Sequence, residues 1–135
     1  MDPIRPIPNT PFYVDTVFKN WDDCRSAAET WGFTFASIQN QQENDAVADY
    51  LQSNDIWVVW LGGYQTSFED EPAGNWAWLE GTAWTDSTYT NWNEDWSEPD
   101  NYENDEHHLA LAGWDGSWGD GNKEWEFQCL FRDPT

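Results

Sequence analysis

Basic residues are scarce in this sequence of 135 residues: five Lys and Arg stand against 26 Asp and Glu, which gives a formal net charge of −21. A surface of that charge repels phosphate backbones, so nucleic acids and anionic membranes are poor partners. Cations are favourable partners. Acidic side chains at short spacing in a loop repel one another, and a divalent ion relieves that repulsion.

Long apolar runs are also missing. No run reaches the roughly 20 residues that a membrane-spanning helix needs, so membrane insertion is not expected. Residues 1–8 lack the apolar core of a signal peptide and predict a mature domain behind an initiator Met, or a Pro-rich linker. We therefore divide the chain into an N-terminal Pro-rich extension at 1–10 and one domain at 11–135, a length that suits a single core.

Cysteine and histidine are rare, with two of each. Cys24 and Cys129 lie near opposite ends of the chain, which fits either a disulfide in a secreted protein or two free buried thiols. His107 and His108 are adjacent, and adjacent side chains of a strand point apart. Because zinc sites usually need three or four nitrogen or sulfur ligands, we expect a structural role for both histidines.

The usual signals of catalysis are absent from the sequence. No nucleophile has a base partner in a recognisable pattern, and no glycine-rich loop is placed to hold a phosphate. We therefore expect a binding protein and not an enzyme.

Tryptophan is abundant, with 12 residues in a chain that is 18% aromatic and 39% hydrophobic. We expect most of these side chains to fill a core, where each indole N–H needs an acceptor. A few are expected at a ligand surface.

The first half of the chain predicts two helices and three extended segments. Asn20 is a suitable N-cap and Gly32 a suitable stop for the first helix. The expected inner face of the first helix consists of Trp21, Cys24, Ala28 and Trp31. That of the second helix consists of Val47, Ala48 and Leu51. The elements are a strand at 11–18, a helix at Trp21–Trp31, an extended segment at 33–38, a helix from Asn40 or Gln41 to about Gln52, and a strand at 56–61.

The second half begins with a long irregular region, from Gly62 to about Asp105. It is rich in Gly, Asn, Asp, Pro and Trp, and so many aromatic residues argue for a packed region that carries function. Strands are predicted at 109–112 and 125–131, with a two-residue hairpin at Asp115-Gly116. The order of elements predicts an α+β fold with helices packed on an antiparallel sheet.

An ordered series of motifs from Phe12 to Phe131 resembles the C-type lectin-like domain family. The series consists of Trp21-x-x-Cys24-x-x-x-Ala28-x-x-x-Gly32, Phe35-Ala36-Ser37-Ile38, Glu43-Asn44, Trp60-Leu61-Gly62-Gly63, Trp76-Ala77-Trp78-Leu79-Glu80-Gly81, Tyr89-Thr90-Asn91-Trp92, Glu98-Pro99-Asp100, Trp118-Gly119-Asp120 and Cys129. The resemblance implies paired terminal strands, two helices, antiparallel sheets, and a long irregular loop region that binds ligand. It also implies a secreted or extracellular protein.

The cysteines depart from the family pattern. The family's first cysteine would fall at Ala28, whereas Cys24 lies one helical turn earlier, so a Cys24–Cys129 disulfide and two separate thiols both stay open. The family's second disulfide is missing, and His108 and Lys123 or a close neighbour occupy its places. We expect aromatic packing and a bound metal to hold the loops instead.

The resemblance implies a Ca²⁺ site built from loop carboxylates. The ligands that it implies are Glu98 and Asp100 on either side of Pro99, Glu106, and Asp120. Carboxylate oxygens are the ligands that Ca²⁺ prefers. A second Ca²⁺ near Glu69, Asp70, Glu71 and Asn101 stays unassigned.

In lectins of this family, two neighbouring hydroxyls of a hexose coordinate the Ca²⁺, and the ligand side chains also bind those hydroxyls. The expected carbohydrate-binding residues are Glu98, Asp100, Asn101, Tyr102, Glu106 and Asp120, with Tyr102 or Trp96 stacking on the sugar. Glu98-Pro99-Asp100 is a hybrid of the mannose-type Glu-Pro-Asn and the galactose-type Gln-Pro-Asp. Gly119 also replaces an Asn, so both usual amide donors are missing, and Asn101, Asn104 or Asn122 are the candidates to replace them.

The sequence therefore predicts a Ca²⁺-dependent lectin module for glycans that contain a mannose- or galactose-type hexose. The alternative is a C-type lectin-like module that binds a protein or another non-sugar partner, such as ice, through its Trp-rich loop face.

Overall fold

The structure is a computed structural model that describes residues 3–66, 76–85, 87–94 and 107–134. Within these ranges there are two helices and eight strands. In chain order the elements are β1 (Ile4–Pro6), β2 (Phe12–Lys19), α1 (Trp21–Trp31), β3 (Thr34–Phe35), α2 (Gln41–Ser53), β4 (Val58–Gln65), β5 (Trp76–Trp78), β6 (His108–Ala112), β7 (Trp118–Gly121) and β8 (Phe127–Arg132).

Both predicted helices are confirmed, together with the two cap residues predicted for α1. The side chain of Asn20 accepts a hydrogen bond from the Asp23 N–H, and Asn40 caps α2 in the same way through the Glu43 N–H. Gly32 ends α1 in the left-handed conformation, with φ of 82°, which glycine adopts without steric cost.

The described strands form one mixed sheet in the order β1-β2-β8-β4-β6-β7, with β3 paired to β8 and β5 paired to β4. All pairs are antiparallel except β4 with β8. The α+β class and the two helices on a sheet agree with the sequence prediction. Residues 1–10 were expected to form an extension, and here Ile4 pairs with Asp15 across β1 and β2 and is only 3% exposed.

The core lies on both faces of the sheet, because alternate strand residues point to opposite sides. One cluster joins α2 to the sheet through Val47 and Leu51, while the other joins α1 through Trp21, Cys24 and Ala28. Trp31 was expected on the buried face of α1 but is 37% exposed at the last residue of that helix.

The two cysteines form a disulfide between α1 and β8, with 5.6 Å between the Cα atoms of Cys24 and Cys129. Ala28, where the family pattern has its cysteine, is buried in the same cluster. The bond therefore fastens the first helix to the last strand from one turn earlier in the helix.

Two local predictions were inaccurate. The predicted irregular region contains the end of β4 and all of β5, because Gly62 and Gly63 do not interrupt the strand. A Cβ on Gly62 would lie 2.6 Å from the Phe35 carbonyl oxygen, so the close backbone approach requires glycine. The hairpin at Asp115-Gly116 exists, but its connection covers residues 113–117, and the Ala112 N–H donates to the Ser117 carbonyl at 2.8 Å.

Candidate functional site

Asp120 is the one expected calcium ligand that lies within the described residues. It occupies the third position of β7, opposite Leu109 of β6, and is only 5% exposed. The alternation of β7 places its side chain on the same side of the sheet as Trp118. A carboxylate so far removed from water requires polar or ionic partners, which makes this end of the sheet a candidate functional site.

An aromatic cluster surrounds Trp118, which is fully buried. Trp78, Tyr89 and Trp92 meet its ring edge to face, with centroids 5.7, 5.6 and 6.1 Å away. Trp84 stacks obliquely on Trp78 at 4.9 Å. These rings give the described part of the long loop region a packed interior, as its tryptophan content predicted.

Polar contacts hold one loop segment against β7. The Trp118 N–H donates to the Asn91 carbonyl at 2.7 Å, and the Asn93 N–H donates to the Trp118 carbonyl at 2.9 Å. The Asn91 side-chain amide donates to the Gly116 carbonyl at 2.8 Å. Burial and the nearby Asp45 raise the pKa of the Tyr89 hydroxyl, which donates to the Gln41 side chain at 3.2 Å.

Two hollows open beside this segment. A groove of about 150 Å³ has Asn93, Trp118 and Asp120 among its lining residues. A neighbouring cleft of about 470 Å³ is lined by Thr90, Asn91, Trp92, Asn93, Glu94, Asp115 and Ser117. Asn93 belongs to both hollows and was missed by the sequence analysis, although it directly follows the Tyr89-Thr90-Asn91-Trp92 motif.

The two histidines point to different partners. The His107 Nδ1 lies 2.9 Å from the Gln65 side-chain oxygen, whereas the His108 ring packs on Trp21 with centroids 4.5 Å apart. Burial, together with the charge of Lys123, lowers the pKa of His108 to about 4, and its buried Nδ1 has no hydrogen-bond partner among the residues that the structure describes. No group of three or more His, Cys, Asp or Glu in the described ranges is arranged to hold a metal ion.

The other expected site residues lie outside the described residues. They are the calcium ligands Glu98, Asp100 and Glu106, the sugar contacts Asn101, Tyr102 and Trp96, the candidate donor Asn104, and the acidic group Glu69, Asp70 and Glu71. Asn122, the remaining candidate donor, directly follows β7, and its side-chain oxygen accepts from the Glu124 N–H at 2.9 Å. The structure therefore places Asp120 and Asn122 at one end of β7 and leaves the complete ligand set a prediction.

The chain is similar in sequence to a known lectin and in fold to several C-type lectin structures. No family model matches the chain. The lectin BRA-3 of Megabalanus rosa is 30% identical over 125 residues, which cover 87% of this chain and 68% of that protein. The crystal structure of the C-type lectin CEL-I from Cucumaria echinata has a TM-score of 0.76 at 15% identity and covers 97% of this chain and 94% of that chain.

A calcium-independent type II antifreeze protein has the same fold, with a TM-score of 0.67 at 24% identity over 89% of this chain and 82% of that chain.

The chain belongs to the C-type lectin-like domain family, as its motifs indicated. It is accordingly a binding module and not an enzyme. Neither α1 nor α2, the helices in the described part, is long and apolar enough to span a membrane.

Proposed function

We propose that this protein is an extracellular, Ca²⁺-dependent lectin module that binds a hexose through neighbouring hydroxyls. The observation that carries the proposal is the buried Asp120 carboxylate, at the end of β7 and beside the packed Trp118 cluster. This carboxylate belongs to the Trp118-Gly119-Asp120 motif. The 30% identity to a lectin favours a sugar as the ligand.

The topology favours convergence of the other ligands on Asp120. Gln65 ends β4 just before the segment that contains Glu69 to Glu71, and its N–H donates to the His107 carbonyl at 3.0 Å. His107 directly follows Glu106 in the chain, and Leu109 lies opposite Asp120. Both segments that carry candidate ligands therefore join the sheet at the end where Asp120 is buried.

The residue types fit Ca²⁺. Glu98, Asp100, Glu106 and Asp120 offer four carboxylates, and backbone, amide and water oxygens complete the six to eight ligands that the ion prefers. Bound Ca²⁺ supplies the positive charge that neutralises these acids and orients the sugar hydroxyls. The carboxylates accept hydrogen bonds from the hydroxyls, and Asn101, Asn104 or Asn122 supplies an amide donor.

The Glu98-Pro99-Asp100 hybrid leaves the choice between mannose- and galactose-type hexoses open, and Tyr102 provides a ring for the apolar face of the sugar.

A glycan array with Ca²⁺ and with EGTA tests the proposal. We expect hexose-containing glycans to be retained with Ca²⁺ only, and Glu98→Gln to weaken retention and change the preferred hexose. Glu29→Gln, on the exposed surface of α1, is the matched control. Equal retention in EGTA would contradict the proposal.

A second candidate function is the binding of a non-sugar partner through the loop face. Two observations favour it: Gly119 replaces the usual amide, and a calcium-independent antifreeze protein shares the fold. An empty glycan array, together with partner binding that is lost in Tyr102→Ala, would support this function over the lectin.

The proposed extracellular location rests on the Cys24–Cys129 disulfide, since such bonds persist in oxidising compartments. The acidic surface, with its formal net charge of −21, makes nucleic acid an unfavourable partner.

A further inference from the structure

Exposed aromatic side chains gather at the end of the sheet where β4 begins. Trp57 is 75% exposed, Phe18 is 61% exposed and Trp114 is 49% exposed. Trp57 directly precedes β4, and Trp114 lies in the connection between β6 and β7. The Gly113 N–H donates to the Trp57 carbonyl at 2.7 Å and fastens that connection to the start of β4.

The centre of this surface lies away from Asp120, although the groove of about 150 Å³ that Asp120 lines also reaches Trp114 and Phe127. Val58, which follows Trp57, pairs with Ala112 at the end of β6. Asp120 pairs with Leu109, near the start of β6. The two surfaces therefore lie toward opposite ends of the same strands. We call the surface around Trp57 the Trp57 face. It consists of Phe18, Asp55, Trp57, Trp114, Glu126 and Phe127.

Two grooves flank Trp57. The first, of about 420 Å³, is lined by Phe18, Asp55, Trp57, Val58, Glu126, Phe127 and Gln128. The second, of about 410 Å³, is lined by Leu51, Gln52, Asp55, Ile56, Trp57, Gly113 and Trp114. Trp57 and Asp55 border both grooves, so one indole ring separates an aromatic groove that has two acidic side chains, Asp55 and Glu126, from a groove in which Asp55 is the single acid among the described lining residues.

The charges of this face indicate what it binds. Asp55 and Glu126 are exposed acids, and no basic residue is among the described residues that line either groove. Lys19, the basic residue that directly follows Phe18 in the chain, forms an ion pair with the buried Asp15 at 2.9 Å. A second copy of the chain would bring another net charge of −21 and be repelled, as would any acidic partner. The exposed faces of aromatic rings attract cations, and neighbouring carboxylates strengthen that attraction.

We propose that the Trp57 face docks a basic segment of a partner protein. A Lys or Arg side chain of that segment enters the first groove against Trp57, where Asp55 and Glu126 complement its charge. An apolar side chain enters the second groove, between Trp57 and Trp114. Tryptophan is a frequent energetic centre of protein interfaces, and the described residues offer the Trp57 indole N–H no acceptor, so it is available to a backbone carbonyl of the segment.

The proposal is tested with a hexapeptide of alternating lysine and leucine whose two ends carry no charge. Binding is followed by NMR of the indole N–H groups and by calorimetry, in EGTA, so that a failure of the proposed calcium site does not affect the result. A glutamate–leucine hexapeptide and a neutral glucose hexamer serve as the acidic and glycan probes. The variants are Trp57→Ala and Asp55→Asn, each with a matched control. Trp31→Ala removes an exposed tryptophan on α1, and Glu29→Gln removes one exposed acid there.

We expect the lysine–leucine peptide to shift the Trp57 indole signal and to bind less tightly as salt is raised. Trp57→Ala is expected to weaken its binding at least about tenfold, and Asp55→Asn about threefold. Asp55 has φ of 55°, which asparagine also adopts, so its variant changes charge and not backbone. Both control variants are expected to retain the affinity of the wild type.

Three results would overturn the proposal. The first is equal peptide binding to the wild type and to a folded Trp57→Ala. The second is an equal loss in Asp55→Asn and Glu29→Gln, which would show attraction to net charge alone. The third is tighter binding of the glucose hexamer than of the peptide at the Trp57 indole, which would make this face a glycan surface.

Discussion

The indole N–H of Trp118 donates to the side-chain oxygen of Asn44 at 2.8 Å, and so joins β7 to α2 through two buried side chains. The amide of the same Asn44 donates to the Gly116 carbonyl at 2.9 Å. One asparagine on the second helix therefore positions both the centre of the aromatic cluster and the connection that leads into β7. Asp120 lies two residues after that tryptophan.

Replacing Asn44 with Ala is expected to destabilise the protein by about 2–3 kcal/mol, because the variant leaves the buried Trp118 indole N–H without its acceptor and removes one of the two side-chain hydrogen bonds to the Gly116 carbonyl. Urea unfolding followed by tryptophan fluorescence measures the change. Asn54→Ala is the matched control, since its exposed side chain makes one hydrogen bond to the Tyr50 carbonyl, and a loss within about 1 kcal/mol is expected. Equal losses in the two variants would refute the bridging role of Asn44.

Breaking the disulfide is expected to lower the unfolding free energy by about 2–5 kcal/mol. Cys24 and Cys129 are separated by 105 residues, so the bond restricts most of the unfolded chain. The double variant Cys24→Ala, Cys129→Ala is compared with the wild type by thermal unfolding with and without reductant. The reductant should destabilise the wild type alone, and an unchanged wild-type melting temperature would contradict this prediction.

The sequence predicted the helices, the caps of α1 and the family, because these depend on local signals. Asn20 and Asn40 cap helices with suitable apolar spacing, and the motif series preserves its order along the chain. The connection at 113–117 and strand β5 were harder to predict, since they depend on pairing with distant strands. Gly62 illustrates the difficulty: glycine signals a break in a strand, yet here it permits a close approach to the Phe35 carbonyl.

The candidate site was predicted less completely than the fold. Of the four calcium ligands that the resemblance implied, Asp120 lies within the described residues and is buried, and its role as a ligand stays a prediction. Asn93 was missed because its position depends on the contact of its N–H with the Trp118 carbonyl, 25 residues later in the chain. Such contacts between loops have no periodic signal in a sequence.

Acid is expected to destabilise the protein through His108. The folded-state pKa of about 4 lies below the ordinary value of 6.5, so the unfolded state binds a proton more readily between these values. Stability is therefore complete above about pH 6.5 and falls as the pH decreases toward 4, by up to about 3 kcal/mol for this one group. His108→Leu removes the group, and its unfolding free energy is measured against the wild type at pH 7.5 and 4.5. An identical pH dependence in both proteins would exclude His108 as the cause.

Calcium is expected to raise the melting temperature, because an ion that binds only the folded protein stabilises it by mass action. At 100 times the dissociation constant the gain is about 2.7 kcal/mol. EGTA should remove the gain, and acid should weaken it because ligand carboxylates must be deprotonated.

Asp120→Asn tests the site directly, since the amide preserves shape and removes one negative charge from the proposed ligand set. The calcium-dependent shift in melting temperature should become smaller, and calcium titration by calorimetry should show a weaker affinity. Asp23→Asn, on the exposed surface of α1, changes the net charge by the same amount and should preserve the shift. If both variants bind calcium as the wild type does, Asp120 is not a ligand and the buried carboxylate has a structural role in the Trp118 cluster.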